Sequence, residues 1–253
     1  MPLLQVEGLN MSFGGVRAVK DLSFAVERGS IHSIIGPNGA GKTTVFNLLI
    51  GLYRPTSGRV LLDGRDLTGK TPCQLARQGM ARTFQNLQIF FNMTAVENVM
   101  VGAHLRLDGG ILHSMLRLPS LVRRDAECRE EAVELMSFVG IGRYAFHRAN
   151  ALPYGALKRL EIARALAARP RLLLLDEPAA GLNPTETEEM NALIQKIARR
   201  GVTVMLVEHD MKLVMGISHR ILVLDRGSKL FEGTAPEVSG NPDVISAYLG
   251  TAA

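Results

Sequence analysis

Gly36-Pro37-Asn38-Gly39-Ala40-Gly41-Lys42-Thr43 fits the pattern G-x-x-x-x-G-K-[ST], and Thr44 comes next. Glycines in such a loop let backbone N–H groups converge on phosphate oxygens with no Cβ in the way. A lysine at this place reaches the β- and γ-phosphates of a nucleotide, and the hydroxyl beside it ligates Mg2+. Such a loop needs a strand before it and a helix after it. Ile31 to Ile35 is a short apolar run, and Lys42 to Leu49 has a helical pattern whose positive N-terminal end faces the same phosphates. The stretch points to an α/β fold class, a phosphate-loop core with a parallel sheet.

Further along, Leu172 to Leu175 and Val202 to Val207 are continuous apolar runs, as in parallel strands buried on both faces. The helix between them is well signalled. Asn183 can cap it, Pro184 opens it, Glu186, Glu188 and Glu189 load its first turns, and Gly201 ends it. Met190, Leu193, Ile194 and Ile197 form its apolar stripe. Strand, helix and strand imply a right-handed crossover. Asp176-Glu177 closes the first of these strands. One carboxylate there can hold Mg2+, directly or through water, and its neighbour can orient or deprotonate an attacking water. His209 lies just past the second strand, where an imidazole can face a γ-phosphate.

Residues 1 to about 30 alternate instead. Leu4, Val6 and Leu9, then Leu22, Phe24 and Val26, are spaced for short strands, and Gly58 to Leu62 runs into the hairpin signal Asp63-Gly64. These predict a small antiparallel sheet. From about 88 to 165 the pattern is mainly helical. Thr94 and Glu97 form a capping box, Asp108-Gly109-Gly110 breaks the pattern, and Ala132, Leu135, Met136 and Val139 give a helical stripe. The expected division is an antiparallel and RecA-like core over about 1–87 and 166–253, with a helical subdomain over about 88–165.

Composition narrows the class. The chain has 253 residues, 47% hydrophobic and 21% charged, which excludes intrinsic disorder. Lys+Arg 29 against Asp+Glu 24 gives +5, a mild excess that demands no nucleic acid. Cys73 and Cys128 are too few and too far apart for a metal cluster or a disulfide framework. No apolar run approaches the ~18 residues of a membrane span. Met1 to Phe13 has neither the charged nor the long apolar region of a secretory signal, so a cytoplasmic location is expected.

Together with Gln85, in Arg82-Thr83-Phe84-Gln85, these motifs resemble the ATP-binding cassette (ABC) ATPases over almost the whole chain. The resemblance implies ATP and Mg2+ as ligands. It makes Gln85 the Q-loop residue that senses Mg2+ and γ-phosphate. Asp176 becomes the metal-holding aspartate, Glu177 the general base and His209 the switch histidine. Phe13, helped by Val16, stands where an aromatic ring stacks on adenine. The family signature is Leu-Ser-Gly-Gly-Gln, whereas this chain has Leu152-Pro153-Tyr154-Gly155-Ala156. Pro153 offers neither hydroxyl nor N–H, so Tyr154, Gly155 and the helix N-terminus after them are left to contact the ATP of a partner cassette. The D-loop, Ala180-Gly181-Leu182-Asn183, carries Asn where Asp is usual.

Leu-Pro-Tyr-Gly, Ala-Ala-Gly-Leu-Asn-Pro, Glu-His-Asp-Met-Lys-Leu-Val-Met and the closing Asn-Pro-Asp-Val-Ile-Ser-Ala-Tyr-Leu-Gly narrow the resemblance to the G-type ATP-binding subunit of branched-chain amino acid importers. The insert from about Leu105 to Asp125, with Arg106, Arg117, Arg123 and Arg124, fits the same group. Likeness to these importers implies a head-to-tail dimer closed by ATP, with a related second cassette as the favoured partner. Two transmembrane permease subunits would be energised by it for uptake of branched-chain amino acids or related small polar solutes, and a solute-binding protein served indirectly, at the cytoplasmic face of the cell membrane. Leu87, Ile89, Phe90, Phe91 and Met93 would line the permease groove. The alternatives are the ATPase of a lipid or lipopolysaccharide exporter, which would be expected to keep Ser-Gly-Gly, or a non-transport ABC ATPase.

Overall fold

The computed structural model describes residues 2–106 and 119–249. The chain forms two compact units, one of Met1–Arg82 with Arg171–Ala253 and one of Thr83–Pro170. In chain order the strands are β1 (Pro2–Phe13), β2 (Val16–Glu27), β3 (Ile31–Ile35), β4 (Ser57–Leu62), β5 (Arg65–Asp66), β6 (Met80–Arg82), β7 (Leu172–Asp176), β8 (Thr203–Val207), β9 (Arg220–Asp225) and β10 (Ser228–Gly233). The helices are α1 (Lys42–Leu49), α2 (Pro72–Arg77), α3 (Ala95–Gly102), α4 (Pro119–Phe138), α5 (Tyr154–Ala167), α6 (Pro184–Arg199), α7 (Met211–Ile217), α8 (Ala235–Ser239) and α9 (Pro242–Leu249).

All these strands lie in the first unit, in two sheets. The antiparallel sheet has the order β2-β1-β4-β5. Its alternating burial along β2, with Leu22, Phe24 and Val26 inside, is the period-2 pattern of a sheet with one buried face. The β4–β5 turn carries Asp63 at φ +54. Its carboxylate binds both Arg28 and Arg171 and so ties the turn to the start of the parallel sheet.

That second sheet has the order β10-β9-β3-β8-β7-β6, with β10 antiparallel and the others parallel. Every residue of β3, β7 and β8 is buried. That explains why these strands read as nearly unbroken apolar runs rather than alternations. The crossover helix α6 starts as its sequence dictates. Asn183 Oδ1 accepts the Glu186 N–H at 2.9 Å and Glu186 Oε2 accepts the Asn183 N–H at 3.1 Å, a reciprocal cap with Pro184 at the first position. Met190, Leu193, Ile194 and Ile197 are its buried stripe.

The second unit is helical among its described residues. Thr94 and Glu97 cap α3. Gly102 closes it against α5, since a Cβ there would lie 2.0 Å from the Arg164 carbonyl. Ala132, Met136 and Val139 are buried along and just beyond the second half of α4. Asp108-Gly109-Gly110 and Arg117 fall outside the described residues. In the rest of the predicted basic insert, Arg106 holds Glu131 through two bonds of 3.0 and 2.7 Å, and Arg123 holds Glu127 at 3.3 Å.

Candidate functional site

The parallel sheet delivers three loops at its carboxyl edge. β3 runs into the glycine loop, β7 into Asp176-Glu177, and the adjacent β8 into Glu208-His209. Open α/β sheets bind ligands at this edge.

The loop is built for an anion. Gly36 and Gly41 stand at φ +154 and +100, and a Cβ would lie 2.3 Å from the Leu224 carbonyl at the first and 2.7 Å from the Ala18 carbonyl at the second. Only glycine fits these turns. Helix α1 has no side-chain cap and no acidic residue in its first turn, so its leading N–H groups remain open to phosphate. Ala40 is buried and Thr44 half-buried, whereas Asn38, Gly39 and Thr43 are exposed. The Lys42 ammonium folds over the loop and donates to the carbonyls of Gly36 at 2.6 Å and Pro37 at 3.0 Å. Burial lowers its proton affinity and the Glu177 carboxylate raises it. A buried cation hydrogen-bonded to neutral carbonyls fits a triphosphate well.

Asp176 lies 4% exposed at the end of β7. Its Oδ2 accepts from Arg82 Nη2 at 2.5 Å, and Arg82 Nη1 donates to Asn47 Oδ1 of α1 at 2.6 Å. The guanidinium also lies over the Phe46 ring, 5.5 Å from its centroid. One arginine thus fixes the carboxylate to the helix after the loop. The roles of Arg82 and Asn47 have little signature in the sequence beyond an arginine three residues before Gln85. Among the described residues no cluster of three or more His, Cys, Asp and Glu could hold a metal. A Mg2+ shared with phosphates needs few protein oxygens, and the Asp176 carboxylate and the Thr43 hydroxyl could supply them.

Glu177 comes next, in a strained backbone at φ +48. Its N–H donates to the Val207 carbonyl at 2.9 Å, and its Oε1 lies 2.7 Å from His209 Nε2. The side chain of Glu177 is 16% exposed and that of His209 48%. A carboxylate and an imidazole in contact, beside a phosphate loop, can together orient a water and take its proton.

Phe13 and Val16 face each other across the β1–β2 turn, 43% and 69% exposed. Tyr53, which no sequence motif marks, meets the Phe13 ring edge-on at 5.2 Å. An exposed aromatic pair on the same unit as the loop can receive a planar base.

Gln85, Tyr154 and Gly155 belong to the second unit. Gln85 sits in a segment held from α5. Glu161, 2% exposed, accepts the Phe84 N–H at 3.1 Å, and Arg164 donates to the Gln88 carbonyl and lies over the Phe90 ring. Asn98 clasps the same segment, accepting the Phe90 N–H at 2.9 Å and donating to the Phe90 carbonyl at 3.0 Å. Phe90 and Phe91 are each 46% exposed, Leu87 and Met93 partly so, and Ile89 is buried. Tyr154, 45% exposed, and buried Gly155 open α5 behind Pro153, which provides no side-chain cap. The start of that helix therefore keeps backbone donors that can face a partner.

The family described as ABC transporter matches residues 19–180, and that described as branched-chain amino acid ATP-binding cassette transporter matches residues 228–253. The high-affinity branched-chain amino acid transport ATP-binding protein BraF of Pseudomonas aeruginosa is 49% identical over 252 residues, 99% of each chain. An ATP-binding cassette of an ABC transporter, solved in its ADP conformation, superposes with a TM-score of 0.86 at 28% identity, covering 99% of both chains. A dimeric cassette in a post-hydrolysis state, bound to ADP and phosphate, gives 0.76 at 27% identity over 92% of this chain and 98% of its own.

Proposed function

The chain belongs to the ABC transporter family, and from that premise we propose that it is the ATP-hydrolysing subunit that powers uptake of branched-chain amino acids through a membrane permease. It is an ABC-type ATPase; the substrate class is the part that rests on likeness. The observation that carries it is 49% identity to BraF along 99% of both chains, joined by the separate match of residues 228–253 to the branched-chain cassette family.

The site residues fit the chemistry of ATP hydrolysis. Lys42 and the N–H groups of Gly39, Gly41 and Thr44 hold the triphosphate, with Asn38 at the loop's exposed rim, while Ala40, whose N–H donates to the Pro37 carbonyl at 3.1 Å, keeps the loop's turn. Phe13, Val16 and Tyr53 receive the adenine. Thr43, Gln85 and, through water, Asp176 would hold Mg2+, which when bound neutralises charge on the β- and γ-oxygens. Glu177 takes the proton of the attacking water, and His209 fixes the direction of that carboxylate. Tyr154 and Gly155 face the ATP of a second cassette in a head-to-tail pair, and the dimeric form of a similar cassette supports pairing. ATP then lies within the interface, and closure depends on the γ-phosphate.

No helix among the described residues is long and apolar enough to cross a membrane. Permease subunits supply the channel in this reading, with the chain docked at the cytoplasmic face through the segment from Leu87 to Met93. A related second cassette and a solute-binding protein complete the assembly. The test is co-purification of the chain from detergent-solubilised native membranes, with its partners identified by mass spectrometry. Two permease subunits and a second cassette are expected. Recovery of only non-membrane partners overturns the transport role and leaves the ATPase chemistry standing.

A further inference from the structure

Glu208 precedes His209 and is 4% exposed, yet nothing in the hydrolytic chemistry uses it. Its carboxylate is shared between two segments. Oε1 accepts the N–H of Ala179, two residues past Glu177, at 2.8 Å. Oε2 accepts the N–H of His209 at 3.0 Å, and the Asp210 N–H is a third donor to the same group. Asp210 in turn caps α7 by accepting the Leu213 N–H at 3.1 Å. The turn after β7 also meets the end of β8 through the Glu177 N–H to Val207 bond of 2.9 Å.

We infer that Glu208 is a positioning residue, a buried clamp that joins the turn carrying Glu177 to the strand end carrying His209 and so maintains their 2.7 Å contact. Each half of the pair stands on backbone outside a regular element, and Glu177 is held at φ +48. Strained backbone persists only where its surroundings over-determine it. A carboxylate accepting several backbone N–H groups is a strong and directional tie. Burial first, and then the nearby Glu177 carboxylate, raise the proton affinity of Glu208, while its three backbone donors lower it. The tie begins at Ala179, immediately before Ala180–Asn183, and reaches His209 through protein groups alone. The inference rests on the ATPase reading and deepens it.

The test uses the transporter complex purified through a tag on this chain. Glu208→Ala is expected to lower kcat by about 10-fold or more while the ATP Kd changes by less than about 2-fold. Combined with His209→Ala, it should add less than about 2-fold to the loss from His209→Ala alone, because residues that act through one another are not additive. Glu208→Gln keeps the shape and one acceptor oxygen, so its kcat should fall between wild type and Glu208→Ala. It carries the same double-variant test if the alanine variant does not fold. Unchanged kcat, or losses that multiply with those of His209→Ala, overturn the clamp. Absence of ATP hydrolysis by the wild-type complex overturns the ATPase reading itself, whereas an active wild type matched by Glu208→Ala sinks only this inference.

Discussion

His209 Nε2 and Glu177 Oε1 lie 2.7 Å apart at the ends of adjacent parallel strands. The contact turns a flexible carboxylate into a directed one, and Glu177→Gln keeps its shape while removing its basicity. Turnover should fall by about 100-fold or more, the usual range for a lost general base. Nucleotide binding should survive, so the variant should accumulate as an ATP-bound dimer on size exclusion. Normal turnover by Glu177→Gln would remove Glu177 from the reaction.

The exposed Phe13–Tyr53 pair makes a separable prediction. Phe13→Ala removes the ring proposed to receive adenine, and stacking of this kind contributes about 0.5–1.5 kcal/mol beyond area burial. The ATP Kd should rise by about 2- to 12-fold, since about 1.4 kcal/mol is tenfold. The Kd for inorganic triphosphate should not move. An equal effect on both ligands would mean that Phe13 acts through the loop and not through the base.

Much of this architecture is legible from residue order. The buried strands β3, β7 and β8 announce themselves because burial on both faces leaves little room for polar residues. Helix α6 is bounded by Asn183, Pro184 and Gly201, whose preferences are local. Asp176, Glu177 and His209 can be placed because each closes or lies just past such a strand. The ties among distant residues are not legible. Arg82 meets Asp176 across 94 positions and Glu208 meets Ala179 across 29, and no local propensity encodes such pairings. Glu161 is equally opaque, since a glutamate within a helix reads as solvated until packing buries it.

Arg82 and Asp176 are each 5% exposed in their side chains, and so the pair is expensive to break from one side. Arg82→Ala leaves a buried carboxylate without its guanidinium and removes the tie to Asn47 of α1. Removing one partner of such a pair costs about 3–5 kcal/mol. Nucleotide-free thermal unfolding should show a large drop in Tm. Arg82→Lys retains charge but not the fork that reaches both Asp176 and Asn47, so it should recover only part of the loss. A Tm for Arg82→Ala indistinguishable from wild type contradicts the role given to this pair.

Glu161 ties the Gln85 segment to α5 through the Phe84 N–H, and burial raises its proton affinity. Glu161→Ala should raise amide exchange at Phe84 and Gln88 by about 10-fold, the loss of roughly one net hydrogen bond. Exchange in the β7 strand should stay as it is. Uniform acceleration across both regions would show general destabilisation instead of a local tie.

His32 gives the chain an acid-sensitive core. It lies within β3, 1% exposed, and its Nε2 has no hydrogen-bond partner among the described residues. Burial, then Arg220 and Lys229, push its pKa down to about 4, with Glu232 Oε1 4.0 Å from Nε2 as the facing carboxylate. An unfolded histidine titrates near 6.5, so below that pH the unfolded chain binds the proton that the folded chain refuses. Stability that is full above about pH 6.5 is therefore lost as pH falls towards 4. The limit is about 3 kcal/mol, from about 1.4 kcal/mol per pKa unit. Urea unfolding followed from about pH 7 down to about pH 4.5 should show His32→Gln losing less stability over this range than the wild type. Parallel losses in the two proteins would assign the acid sensitivity to other groups.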